Sequence, residues 1–123
     1  MANSFKELIV WQKSVDLVEV IYIETSSLPA KESFGLQSQM RRAAVSIPSN
    51  IAEGAKRRTS KDFLHFLHMS DGSAAELETQ VTIAERVYPR ITFEQSRLLL
   101  VEVQKMLAAM VFRIHSKARS RKH

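Results

Sequence analysis

Apolar positions recur along this chain at steps of three and four, the period of a helix with one buried face, and they do so in four separate stretches. The first runs from about Phe5 to Ser27 and carries two rows. One is Leu8, Trp11, Val15, Val18 and Tyr22; beside it lies Val10, Leu17, Ile21 and Leu28. The second spans about Phe34 to Gly54, with Leu36, Met40, Ala43, Ile47 and Ile51 as its inner row. The third follows Thr59 and reaches about Val87, with Phe63, Leu67, Ser70, Ala74, Leu77, Val81 and Ala84 on one face. The fourth follows Thr92 and uses Leu100, Val103, Leu107, Met110 and Ile114. Ser4, Thr59 and Thr92 each stand three residues before a side chain that completes a capping box: Glu7, Asp62 and Gln95. Gly54 fits a C-terminal stop. No alternating stretch of useful length suggests a strand. The breaks are short, and short breaks force neighbouring helices antiparallel. The pattern therefore predicts an all-α, up-down-up-down four-helix bundle over residues 1–118, with a basic tail at 119–123.

Pro48 sits inside the second apolar pattern. A proline there removes an amide donor and clashes with the carbonyl of Ala44, at a cost of roughly 3 kcal/mol. The second helix is expected to kink at Pro48. Ser46, Ser49 and Asn50 surround it and carry the groups that satisfy freed carbonyls. Helix 1 and helix 4 each carry more than one apolar row, where a monomeric bundle needs one per helix. The surplus favours burial against another subunit.

Composition narrows the chemistry. The chain has 123 residues, which is one domain, and no cysteine, which excludes disulfides and thiolate chemistry and fits a cytoplasmic location. The N-terminal apolar stretch is interrupted by charge and reads as neither a signal peptide nor a membrane span. With three glycines the chain has no glycine-rich phosphate loop. The net charge of +5 is unevenly placed: residues 1–112 balance 13 basic against 13 acidic residues, and Arg113, Lys117, Arg119, Arg121 and Lys122 supply the whole excess. In an antiparallel bundle this tail shares a pole with Lys6, Lys56, Arg57, Arg58 and Lys61. That pole holds ten cations and the three acids Glu7, Glu53 and Asp62, so it is expected to be electropositive on a neutral body.

The run SIPSNIAEG at 46–54, preceded by QMRRAA at 39–44, resembles the four-helix bundle proteins also called 23S rRNA intervening-sequence proteins. Trp11-Gln12, Pro29, Phe34-Gly35-Leu36, Phe63, Phe66 and GSAAELETQ at 72–80 extend the resemblance over most of residues 5–110; the basic tail lies outside it. The resemblance implies an antiparallel bundle in a ring-like homo-oligomer, a pentamer. Some members are encoded inside intervening sequences of 23S rRNA genes, and a related bundle works with a reverse transcriptase and nucleic acid, though nothing in this sequence itself points to a reverse transcriptase as a protein partner. Neither association defines a chemical activity.

The chemistry-bearing residues fall into a few groups. Lys56, Arg57, Arg58, Lys61, Arg113, Lys117, Arg119, Arg121 and Lys122 form the nucleic-acid candidate, RNA or DNA, because cations there converge. Arg41 and Arg42 form a second basic site, read either as phosphate ligands or as salt bridges to a neighbouring subunit. Ser46, Pro48, Asn50, Glu53, Ser73 and Glu76 read as a polar network that supports the proline, with a binding groove as the alternative. Glu53 has Arg41 or Arg42 of a neighbouring subunit as a further partner. Trp11 reads as packing. Asp62, His65, His68 and Asp71 advance by threes, which spreads them over half the helix surface, so they cannot share a metal. No cofactor, membrane or catalytic set is expected. The reading is a non-enzymatic, oligomeric nucleic-acid accessory protein; the alternative is a protein-interaction scaffold.

Overall fold

The four apolar stretches become four helices in the computed structural model, which describes residues 4–121 and side chains as far as Ser120. α1 is Ile9–Thr25, α2 is Leu36–Ala55, α3 is Ser60–Val87 and α4 is Glu94–Arg121. Short 3-10 turns occupy Phe5–Glu7 and Ala30–Glu32. α1 begins later than its periodicity suggests. The Ser4 hydroxyl accepts from the Lys6 amide and caps the first turn, and Leu8 is extended, which separates that turn from the helix. Gln12 Nε2 donates to the Lys6 carbonyl at 2.8 Å and ties the turn back onto α1. The Thr59 hydroxyl accepts from the Asp62 amide at 3.1 Å and starts α3 where the spacing places it. α4 runs on through Arg121, so the expected tail begins as helix.

Each helix packs on two others: α1 and α3 both touch α2 and α4. Side-chain links give the directions. Lys13–Glu102 and Glu24–Ser96 join α1 to α4. Ser46–Ser73 and Ile47–Ser70 join α2 to α3, and Glu78–Gln104 and Glu85–Arg97 join α3 to α4. In each pair of helices low numbers on one meet high numbers on the other, the register of antiparallel neighbours. The core follows the expected inner rows of α2, α3 and the first half of α4, except that Leu36 and Phe63 are half-buried beside it, and is closed at one end by the fully buried Phe93. In α1 the second row forms the core: Val10, Leu17 and Ile21 are buried, with Ser14 and Thr25 among them. Their hydroxyls donate to the Trp11 and Ile21 carbonyls, so their burial leaves no donor unmet. Leu8, Trp11, Val15 and Val18 lie half-buried beside the core, and Tyr22 is exposed. Trp11 packs edge-on against Phe5, ring centroids 5.4 Å apart.

Gly54 departs from the expectation. It does not stop α2, which continues to Ala55, and no glycine has a positive φ. Gly54 is instead a point of close approach: a Cβ there would lie 2.7 Å from Phe66 Cβ and 3.3 Å from the Phe63 carbonyl oxygen. α2 also passes through Pro48 without a break in its helix. The side-chain donors around Pro48 serve the Ala43, Val45 and Ser46 carbonyls rather than that of Ala44. From α3, Ser70 Oγ donates to the Ile47 carbonyl at 3.0 Å. The proline is therefore held from both sides, by its own helix and by α3.

The turn before α2 is pinned to the end of α3. Glu32 accepts from the Tyr88 hydroxyl at 2.5 Å and from the Leu36 amide at 3.2 Å. The Tyr88 hydrogen bond, then that of Leu36, holds the Glu32 carboxyl below its ordinary value of 4.5. The same bond raises the Tyr88 phenol above 10.0. A lowered carboxyl stabilises the fold above 4.5, and the contribution is lost as pH falls through the folded value; a raised phenol stabilises below 10.0 and is lost as pH rises through its folded value.

Gly54→Ala is expected to destabilise by about 1–3 kcal/mol through overpacking. Gly72→Ala, where nothing lies within 4 Å, is expected to stabilise α3 by about 0.5–1 kcal/mol; urea unfolding of both variants measures the opposite signs. Tyr88→Phe is expected to lower stability at neutral pH. Its difference from wild type should shrink toward acid below 4.5 and toward base above 10.0, as read from melts across pH.

Candidate nucleic-acid interface

The basic pole is built by chain direction. α2 ends at Ala55, Lys56 to Thr59 turn the corner, and α3 starts at Ser60. α4 is 28 residues long against 17 for α1. It therefore outreaches α1 by roughly 16 Å at the rise of a helix, and no described α4 residue beyond Leu107 is fully buried. The projecting segment keeps α3 as its neighbour: His68 and Asp71 of α3 share one groove with Leu107, Ala108, Val111, Phe112, His115 and Arg119 of α4. Arg113 faces the other way and lines a cleft with Glu7, Leu8 and Ile9 at the start of α1. So Lys56, Arg58, Lys61, Arg113, Lys117 and Arg119 stand exposed at the end of the bundle where α2 stops and α3 starts. Lys122 and the Arg121 side chain lie outside the described residues.

Among the described residues the ion pairs are Lys13–Glu102, Arg57–Glu53 and Arg97–Glu85. Of the candidate cations only Arg57 is in that set. It meets Glu53 at 2.8 Å and lies over the Phe66 ring, 4.8 Å from its centroid. Glu53 is thereby engaged on the surface one turn from Arg57 and does not join the polar network. Ser46 and Ser73 do meet, Oγ to Oγ at 2.5 Å, and Asn50 donates to the Ser46 carbonyl at 2.8 Å. Glu76 is exposed and lines a groove with Gln39, Arg42, Ala43 and Ser46.

Arg41 has a role that residue spacing does not reveal. Its Nε donates to Thr25 Oγ1 at 3.0 Å, and its Nη2 to the Tyr22 carbonyl at 3.1 Å and to Ser26 Oγ at 3.3 Å. Its guanidinium also lies over the Tyr22 ring at 4.4 Å. Arg41 thus caps the C-terminus of α1, where orphan carbonyls and the helix dipole favour a cation. Arg42 is exposed and makes none of these bonds. A further feature that spacing alone does not reveal is the α3–α4 groove. One signal of it stands in the sequence: Phe112 is an aromatic residue off the core row of α4, and it is 72% exposed.

Among the described residues, no group of three His, Cys, Asp or Glu side chains is placed to hold a metal, and no described helix is long and apolar enough to cross a membrane.

The family model described as 23S rRNA-intervening sequence protein matches residues 6–109. The chain belongs to that family. A crystal structure at 1.70 Å resolution is similar: a protein of unknown function from the S23 ribosomal protein family of Bacteroides thetaiotaomicron. It is 24% identical, with a TM-score of 0.71 over 84% of this chain and 95% of that one, a likeness of fold. A search of the curated proteins finds no match. The family match stops short of Arg113, so the projecting cationic end of α4 lies beyond what the family pattern covers.

Arg41→Ala is expected to cost about 1–2 kcal/mol in urea unfolding, because it removes charged hydrogen bonds at a partly exposed site. Arg42→Ala should stay within about 0.5 kcal/mol. Equal effects would contradict the capping role.

Proposed function

We propose that this protein is a non-enzymatic, cytoplasmic homo-oligomer that binds nucleic acid through its basic pole. The observation that supports this most is the set of exposed cations at one end of the bundle, Lys56, Arg58, Lys61, Arg113, Lys117 and Arg119, none of which makes an ion pair among the described residues. Unpaired cations on a neutral body attract phosphate and release counterions on binding. Binding of that kind tracks the backbone and carries little sequence information. The family name refers to an rRNA intervening sequence, which is a genetic address and agrees with, without requiring, an RNA ligand.

Self-association is supported by the half-buried apolar row of α1. Trp11, Val15 and Val18 line a groove with Phe5, Val45, Pro48 and Ala52, interrupted only by Ser49. A second subunit laid along this groove would bury it; the family resemblance favours five subunits in a ring. A ring repeats the basic pole around its axis, so weak phosphate interactions add through effective concentration. The same groove favours the second reading, a scaffold whose outer face takes a different protein.

Fluorescence anisotropy with labelled RNA at several salt concentrations tests the pole. Replacing Arg113, Lys117 and Arg119 together by Gln is expected to weaken binding and to flatten the salt slope by about one for each phosphate no longer neutralised. Replacing Lys31, Arg86 and Arg90 by Gln, at the opposite end, should change neither. Equal weakening by both sets, or no binding by the intact oligomer at low salt, would contradict the proposal.

A further inference from the structure

We propose that the groove between α3 and α4 takes an unpaired base, so that the basic pole prefers single-stranded nucleic acid to duplex; this rests on the reading of the pole as a nucleic-acid site. The groove holds about 380 Å³. Its wall is apolar, with Leu107, Ala108, Val111 and Phe112, and its polar groups are His68, Asp71, His115 and Arg119.

Phe112 is the central residue. An isolated exposed apolar side chain is ordinary. This one is 72% exposed and lines a groove that Arg119 also lines. Lys105, Phe112 and Arg119 are spaced by sevens, so they share one face of α4 at steps of roughly 10 Å. On α3, Lys61 stands seven residues before His68 and so on the same face, again about 10 Å away. An aromatic surface flanked by exposed cations along its helix is the arrangement by which proteins hold single strands: the ring stacks on a base and the cations meet the backbone. Charge complementarity selects this occupant over an apolar peptide, because Arg119 and the neighbouring Lys61 would be left facing an uncharged partner.

Asp71 fits the same occupant. A carboxylate repels phosphate, yet it accepts hydrogen bonds from the exocyclic amino group of a base. In the groove it accepts from a base edge while the imidazoles of His68 and His115 supply ring nitrogens, and Arg119, which lines the same groove, is left for the backbone. A base-paired duplex presents neither a free face to Phe112 nor an unpaired edge to Asp71.

The test uses the full chain and compares Phe112→Ala and Phe112→Tyr with wild type. The probes are a labelled single-stranded RNA and a duplex RNA of equal length, and light scattering reports the oligomeric mass. Phe112→Ala should weaken single-strand binding at least about fivefold, leave duplex binding within about twofold and keep the salt slope; Phe112→Tyr should bind as wild type does. Equal weakening of both probes, no weakening of either, or a fall in oligomeric mass for Phe112→Ala would overturn the inference while leaving the basic pole standing. Failure of wild type to bind either probe would overturn both.

Discussion

The close approach of α2 and α3 sets the geometry of the rest of the molecule. At Gly54 there is no room for even a methyl group against Phe63 and Phe66. Further along, the Ser46–Ser73 hydroxyl pair and the bond from Ser70 to the Ile47 carbonyl fasten the segment that holds Pro48. A helix in which proline removes a backbone hydrogen bond is weak in isolation. Here its weakest turn is backed by α3. That seam fixes how α2 ends and how α3 begins, and so decides where Lys56, Arg58 and Lys61 emerge.

The charge at that pole is a matter of side chains more than of helix dipoles. An antiparallel bundle puts two helix N-termini and two C-termini at each end, so the dipoles largely cancel. What remains is the composition of the termini. At the opposite end the cation nearest α1 is engaged internally, since Arg41 closes the last turn of α1 through Thr25, Ser26 and the Tyr22 carbonyl. At the basic pole, among the described residues, only Arg57 is so engaged. The asymmetry between Arg41 and the basic stretch at 56–58 thus has a physical origin: Arg41 faces a neighbouring helix end, and the basic stretch follows the end of α2 into solvent.

Much of the fold is legible in the sequence because burial follows period. The inner rows of α2 and α3 lie where the spacing of threes and fours places them, and Thr59 starts α3 with its own hydroxyl. The rows of α1 are ambiguous as sequence because both are apolar. Only packing against α4 and α2 selects Val10, Leu17 and Ile21 and leaves Trp11 and Val15 at the edge. Gly54 misleads because a glycine at a helix end suits a C-cap, and nothing local reveals two phenylalanines pressed against it. Arg41 and Arg42 are indistinguishable as sequence; their separation of about 100° around the helix sends one to α1 and the other to solvent. The groove at Phe112 needs the α3–α4 register, which links such as the Glu85–Arg97 ion pair and the Gln104–Glu78 hydrogen bond mark.

Hydrogen–deuterium exchange of the intact oligomer, with and without a short single-stranded RNA, tests most directly whether this pole is where nucleic acid sits. Slowed exchange confined to residues 56–71 and 107–120 is the expected result. Protection at residues 26–35 and 86–94, the far end of the bundle, or along the α1–α2 groove alone, would contradict it.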